Sequence, residues 1–334
     1  MRILYLTEAG TTLKKDGYLL KITKNGKEIS QTSLEKLDAV VLFSGTHVTS
    51  PVTMELLKRE IPLTYLSSKG EFFGRLESTS GINIERQMLQ FQRSQDESFC
   101  LNMAKNIILA KLKNSVVILR RYSRDKGLSE VERLIEEISH SYYSIEISPN
   151  LKNLLGIEGA NAKKYFSALG KMVPDAFAFS KRSRQPPKDA FNSLLGFSYT
   201  LMLYEIYTVL ASKGLHPYIG IIHKVKKGHP ALASDFIEEW RSSFCDSFVM
   251  SIVANKIIEE QDFTQDQVSG GVYLNNDKRK VFIRKFEERM RKNFSYVNQN
   301  NGNTVRETIA YQVNLLVKAI ENKEPNNYKP IIIR

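Results

Sequence analysis

The stretch Glu77-Ser-Thr-Ser-Gly-Ile-Asn-Ile-Glu-Arg86-Gln-Met divides the chain into two kinds of pattern. Before it lie short runs rich in branched and aromatic residues: Arg2-Ile-Leu-Tyr-Leu-Thr, Gly17-Tyr-Leu-Leu-Lys-Ile-Thr, Ala39-Val-Val-Leu-Phe and Leu63-Thr-Tyr-Leu. Turn signals such as Lys24-Asn-Gly-Lys and Ser67-Ser-Lys-Gly separate them, so they predict β-strands. One helix is expected among them, with Ser50-Pro51 as its start and Val52 to Glu60 as its body. Beyond the divide, Phe99, Met103, Ile107, Ile108 and Leu112 recur at helical spacing and predict one long helix from about Arg86 to Tyr122. Helical spacing continues near 128–140, 146–155, 157–170, 190–213, 230–260 and 279–295. Between these, Ser180-Lys-Arg-Ser-Arg-Gln-Pro-Pro-Lys reads as a basic loop. Gln261 to Asn276, with its Gly270-Gly271 pair, reads as a loop or short hairpin. The expected fold is α+β. A small β-sandwich-like domain spans 1–78, a linker 79–90, and a larger all-α domain 91–334.

Composition narrows the function classes. The chain has 334 residues and a formal charge of +12. Through Thr79 there are eleven basic and nine acidic residues, so nearly all of the excess lies in the helical part. A basic domain points to a polyanionic partner, nucleic acid above all, against the plain alternative of general solubility charge. The two cysteines, Cys100 and Cys245, are too few and too far apart for a disulfide framework or a thiolate zinc site, which fits a reducing cytoplasm. The N-terminal MRILYLTEAG lacks the apolar stretch of a signal peptide. The most apolar long run, Leu194 to Ala211, contains Glu205 and is expected to be a buried core helix rather than a membrane span.

Three segments bring hard ligands and basic residues together. In Gly156-Ile-Glu158-Gly-Ala-Asn161-Ala-Lys-Lys-Tyr165, small residues flank a lone carboxylate at what reads as a helix start, and Tyr165 follows on the same face. A solvated first-turn glutamate favoured by the helix dipole is the plain alternative. In Tyr218-Ile-Gly220-Ile-Ile-His223, the imidazole precedes a basic turn containing Lys224, Lys226 and Lys227. Such a histidine is either a metal ligand or a hydrogen-bonded core-edge residue, and His229 is a weaker candidate. In Ala231-Leu-Ala-Ser-Asp235-Phe-Ile-Glu238-Glu239-Trp240-Arg241, helical phase puts Asp235 and Glu238 on one face. Two adjacent acids need a cation between them, either Arg241 or a metal. Glutamate, histidine and a carboxylate suit Mg²⁺ or Mn²⁺, and ligand type alone also admits zinc.

In this order the segments resemble the signature of the CRISPR-associated integrase family. The matching pieces are Gly156-Ile-Glu158-Gly, Arg184-Gln-Pro-Pro-Lys-Asp-Ala-Phe-Asn192, Gly220-Ile-Ile-His223 and Leu232-Ala-Ser-Asp235-Phe-Ile-Glu238-Glu239. The N-terminal β-domain and the Arg86-Gln87 step also look like the family, so the resemblance covers nearly the whole chain. It departs at Gly228-His229-Pro230, where many members carry arginine.

The resemblance implies a DNA endonuclease and integrase that inserts short fragments into a repeat array. A free 3′-hydroxyl attacks a phosphodiester, assisted by Mg²⁺ or Mn²⁺. It implies Glu158, His223 and Glu238 as metal ligands, with Asp235 beside Glu238 shaping the site. It also implies a homodimer joined through the β-domain, bridged to a second homodimer by a dimer of a small ferredoxin-like CRISPR-associated subunit. Double-stranded and branched DNA would meet Lys163, Lys164, Arg182, Arg184, Lys224, Lys226, Lys227, Arg284 and Lys285 through the phosphate backbone. Two other readings remain at this stage. One is a non-catalytic branched-DNA or RNA binding protein of the same fold. The other is a metallohydrolase of small substrates, for which neither a Walker-type loop nor an HExxH motif is present.

Overall fold

The computed structural model describes residues 2–124, 126–297 and 302–334. It divides into two compact units, Met1–Ile82 and Asn83–Arg334.

In the first unit, eight strands form two four-stranded sheets. One runs in the order β1 (Ile3–Leu6), β5 (Ala39–Phe43), β7 (Leu63–Leu66), β8 (Phe72–Leu76). The other runs β4 (Lys27–Ser33), β3 (Leu19–Lys24), β2 (Thr11–Asp16), β6 (His47–Val48). Helix α1 (Ser50–Lys58) precedes β7, with Pro51 in its first turn and Thr49 rather than Ser50 as the cap residue. β1, β5 and β7 pair in parallel. All five residues of β5 are buried, which is why that strand reads as an unbroken apolar run. Leu6, Leu13, Leu20, Leu42, Val52 and Leu56 share one core, so both sheets and α1 close over it.

The strands β2, β4, β6 and β8 were not among the sequence expectations. β2 buries only Thr11 and Leu13, and β4 buries nothing fully, so neither presents an apolar run. The β3–β4 pairing was nonetheless signalled: Lys24 pairs with Lys27 across Asn25-Gly26, both at positive φ (50° and 78°). That is the two-residue turn Asn-Gly favours.

The second unit is helical apart from a hairpin, β9 (Phe263–Gln265) with β10 (Val272–Leu274), as the Gly-Gly loop suggested. The expected long helix is broken in two, α2 (Ile84–Ser94) and α3 (Glu97–Ser123). Asp96 forces the break by capping α3, accepting from the Phe99 amide at 3.0 Å. After α4 (Ser129–Glu146), the expected pair 146–155 and 157–170 is a single helix, α5 (Leu151–Gly170). Its cap is Asn150, accepting from Asn153 at 2.9 Å, so Glu158 lies within the helix and not at its start.

Helix α6 (Ala190–Ser212) is long and apolar enough to cross a membrane by length and composition. Two-thirds of that window (67%) is buried, as a core helix requires. The next segments follow without a break: α7 (Ala231–Phe236), α8 (Glu238–Trp240), a π-helical turn over Arg241–Asp246, and α9 (Ser247–Ala254). A π-turn inside a helix often marks a working site. α10 (Asn276–Met290) and α11 (Val305–Asn322) complete the unit. α11 went unread, although Thr304 and Glu307 form the reciprocal cap that the sequence Thr-x-x-Glu advertises. Arg306 on α11 ties three helices together by pairing with Glu205 of α6 and Glu287 of α10.

Candidate active site

Helices α3, α5, α6 and the α7–α9 run surround a cleft of about 240 Å³. Glu158, His223 and Glu238 all line it, although they are far apart in sequence. Tyr165, Arg182, Arg184, Tyr199, His229, Arg241 and Asp246 line it too. The Glu158–Tyr165 spacing therefore does place both on one helix face.

The three acids of the third segment go separate ways. Asp235 is buried and turned to the segment Gly220–His223. Its Oδ2 accepts from the amides of Ile221 (2.6 Å) and Ile222 (2.9 Å). Its Oδ1 accepts from the His223 amide (2.9 Å) and from His223 Nδ1 (2.6 Å). Four directed bonds consume this carboxylate, fix the ring, and leave Nε2 as the nitrogen available to a ligand. The same hydrogen bond raises the His223 pKa above its ordinary value, against burial, which lowers it.

Gly220 explains the glycine of the Gly-x-x-His step. A Cβ there would lie 2.5 Å from the His223 carbonyl oxygen, 2.7 Å from the Ala231 Cβ and 3.1 Å from Asp235 Oδ2. Only glycine fits. Glu239 points elsewhere again, accepting from the Tyr328 hydroxyl and from the Ile331 amide (2.7 Å), and so anchors the C-terminal segment.

Glu238 faces the cleft. Its Oε1 accepts from Arg241 Nε at 3.0 Å, and its Oε2 lies 2.6 Å from the Lys111 ammonium. That second contact lacks hydrogen-bond alignment, so Oε2 is a buried oxygen with no directed donor. Lys111 also pairs with Glu158, and thus bridges the two carboxylates. Burial pushes the Glu238 carboxyl up, but Arg241 and Lys111 together outweigh it and hold the pKa at about 2. Arg241 is the counter-charge expected from sequence; Lys111, one of several lysines on α3, carries no distinguishing pattern.

Asp246 and Tyr199 were missed as well. Asp246 accepts from the hydroxyls of Tyr165 (2.7 Å) and Tyr199 (2.6 Å). The Arg241 guanidinium lies 4.5 Å from the centroid of the Tyr199 ring. Asp246 had a signal: it is a lone acid inside Phe244-Cys-Asp-Ser-Phe-Val-Met250, an otherwise apolar helical run.

The expected basic residues divide. Arg182 and Arg184 line the cleft, Arg182 holding Asn192 Oδ1 at 2.8 Å. Lys163, Lys164, Lys224, Lys226, Lys227, Arg284 and Lys285 do not line it. Lys164 pairs with Glu137 at 3.0 Å and Lys285 with Glu288 at 2.8 Å. Lys163, Lys224, Lys226, Lys227 and Arg284 are exposed. Among the described residues, no three His, Cys, Asp or Glu side chains stand together closely enough to hold a metal ion. The Lys111 ammonium lies between the two carboxylates that would have to converge.

The chain is similar to known proteins over most of its length. A model of the family "CRISPR associated protein Cas1" matches residues 4–288. The CRISPR-associated endonuclease Cas1 of Mycobacterium tuberculosis is 32% identical over 308 residues, covering 91% of this chain and 89% of the relative. CRISPR-associated endonuclease Cas1 3 of Thermus thermophilus is 31% identical over 334 residues, covering 99% and 97%. Among solved structures, a chain of a Cas6-RT-Cas1--Cas2 complex superposes with a TM-score of 0.86 at 25% identity. The match covers 98% of this chain but 36% of that longer one. Matched by the family model over most of its length, and by such relatives nearly end to end, the chain belongs to the CRISPR-associated protein Cas1 family.

Proposed function

We propose that this protein is a metal-dependent DNA endonuclease and integrase that inserts short fragments into a CRISPR repeat array by 3′-hydroxyl attack on a phosphodiester. One observation carries the reading: Glu158, His223 and Glu238 come from three separated segments and line one cleft. The donor set fits a divalent ion. Glu238 Oε2 is buried without a directed donor, His223 has one ring nitrogen to spare, and the two carboxylates already require a cation between them. Carboxylate oxygens with one imidazole suit Mg²⁺ or Mn²⁺. Such an ion, when bound, lowers the pKa of the attacking hydroxyl and offsets charge growing on the phosphate.

The chain's own residues do the rest. Asp235 keeps the His223 ring in one orientation through Nδ1. Arg182 and Arg184 set positive charge along the cleft wall, where a phosphodiester must lie. Lys163, Lys164, Lys224, Lys226, Lys227, Arg284 and Lys285 lie outside the cleft and serve the more distant DNA backbone, a contact that weakens with salt. The N-terminal unit, read as domain 1–78, supplies the homodimer contact, and a small ferredoxin-like subunit joins two dimers. The Cas2 named in the matched complex supports a partner of that kind. A cytoplasmic setting suits two buried, unpaired cysteines.

The test is strand transfer and cleavage on branched DNA with Mn²⁺, with Mg²⁺ and with chelator. Wild type is expected to be active only with metal. Glu158→Ala is expected to lose both activities while DNA affinity stays within a few-fold. Unchanged strand transfer by that variant would sink the assignment.

A further inference from the structure

Lys111 stands between the two carboxylates of the cleft. It projects from α3 into the gap between α5 and α8, and its side chain is 15% exposed. Its ammonium touches Glu158 and lies 2.6 Å from Glu238 Oε2. These are the two carboxylates that the reading above assigns to a divalent ion, so the ammonium holds the position such an ion needs.

Of the two cations beside Glu238, Arg241 is the more firmly fixed. Arg241 donates to Glu238 Oε1 at 3.0 Å and stacks on Tyr199 at 4.5 Å, so its planar group is held by geometry as well as by charge. Lys111 donates to Glu158 and lies 2.6 Å from Glu238 Oε2, and it has no planar fork to fix its orientation. An ammonium on four methylenes is a compact, mobile charge that water solvates readily. Lys111 and Arg241 already balance Glu158 and Glu238, and Arg182 and Arg184 add positive charge to the same cleft. A divalent ion added beside both would leave a large uncompensated positive charge in a buried place, and the loosely held cation must leave.

We infer that Lys111 is an exchangeable counter-ion: it holds Glu158 and Glu238 together before the metal arrives and gives up its place when the metal binds. Its removal therefore weakens the metal-free protein and strengthens metal binding, because the ion no longer competes with an internal cation. The inference rests on the metal reading of the same cleft, and the experiment separates the two.

Mn²⁺ binding to the full-length protein is followed by calorimetry and by the spin-resonance signal of free Mn²⁺, with melting temperature measured in chelator and in Mn²⁺. The variants are Lys111→Met, Lys111→Gln and Glu158→Gln, each checked for native circular dichroism. Lys111→Met is expected to bind Mn²⁺ at least ten-fold more tightly than wild type. It should melt lower in chelator and gain more from Mn²⁺, as linkage requires. Lys111→Gln repeats the trend should the methionine variant fold poorly. Glu158→Gln is expected to lose Mn²⁺ binding. If it does, while both Lys111 variants bind Mn²⁺ no more tightly than wild type, the exchange is wrong and the metal reading stands. If neither wild type nor any Lys111 variant binds Mn²⁺, both are wrong.

Discussion

The two walls of the cleft are built on different physics. On the His223 wall, Asp235 takes four hydrogen bonds from one short segment, three of them from consecutive backbone amides. Directed bonds to a buried carboxylate fix positions and are costly to leave unmade. On the Glu158–Glu238 wall, the carboxylates are held chiefly by the charges of Lys111 and Arg241, and one oxygen has no directed donor. The first wall is a mould and the second a socket. A site that must keep an imidazole oriented while exchanging cations needs both.

Asp235→Ala should break the first wall outright. It leaves the amides of Ile221 and Ile222 buried without an acceptor and frees the His223 ring. At about 1–3 kcal/mol for each stranded group, the expected loss is roughly 4 kcal/mol of unfolding free energy. Urea unfolding measures it, with strand transfer expected to fall about 100-fold in parallel. Glu158→Gln, on the socket side, should cost less, about 1–2 kcal/mol, because the amide oxygen can still accept from Lys111 and Lys111 keeps Glu238. Equal losses for the two variants would erase the distinction between the walls.

Asp246 sharpens the contrast because it is buried and hydrogen-bonded to two tyrosines, yet it is pushed up to about 6 from the ordinary aspartate value of 3.8. Burial wins over the Tyr199 and Tyr165 hydroxyls and the charges of Arg241 and Arg182. A carboxyl raised on folding gives stability that is full below about pH 3.8 and lost as pH climbs through about 6. Wild type should therefore lose about 2–3 kcal/mol more than Asp246→Asn between pH 4 and 7. Chemical denaturation at stepped pH reads the difference. Parallel curves would mean that the tyrosines hold Asp246 as firmly as the amides hold Asp235.

How much of this was legible in the sequence follows from what kind of force holds each part. Apolar patterning exposed β5 and α6, which are largely buried, and the Ser50-Pro51 start signal exposed α1. Patterning missed β2 and β4, whose stability comes from pairing and from a turn rather than from apolar runs. It fused α2 with α3 because the hydrophobic phase runs on past Asp96, where a side-chain cap ends the backbone pattern. In the cleft, Glu158, His223 and Glu238 were readable as hard ligands beside small or basic residues. The split between Asp235 and Glu238 was not, since helical phase puts them on one face and only the fold of Gly220–His223 separates their partners. Lys111 was invisible: its significance comes from two carboxylates forty-seven and more residues away.

The smallest effect tests what the glycines beside Glu158 are for. A Cβ at Gly156 or Gly159 would meet nothing within 4 Å, although both lie inside α5, where glycine is a poor helix former. Packing therefore does not demand them. Gly159→Ala should raise stability by about 0.5–1 kcal/mol, since the chain loses backbone freedom in the unfolded state and gains no clash in the folded one. If the open space serves an approaching phosphodiester, the same variant should raise the KM for branched DNA while Mn²⁺ binding stays as in wild type. A more stable protein with unaltered KM would leave the socket wall without a built-in place for DNA. A less stable one would mean that these glycines belong to the fold, as Gly220 does on the opposite wall.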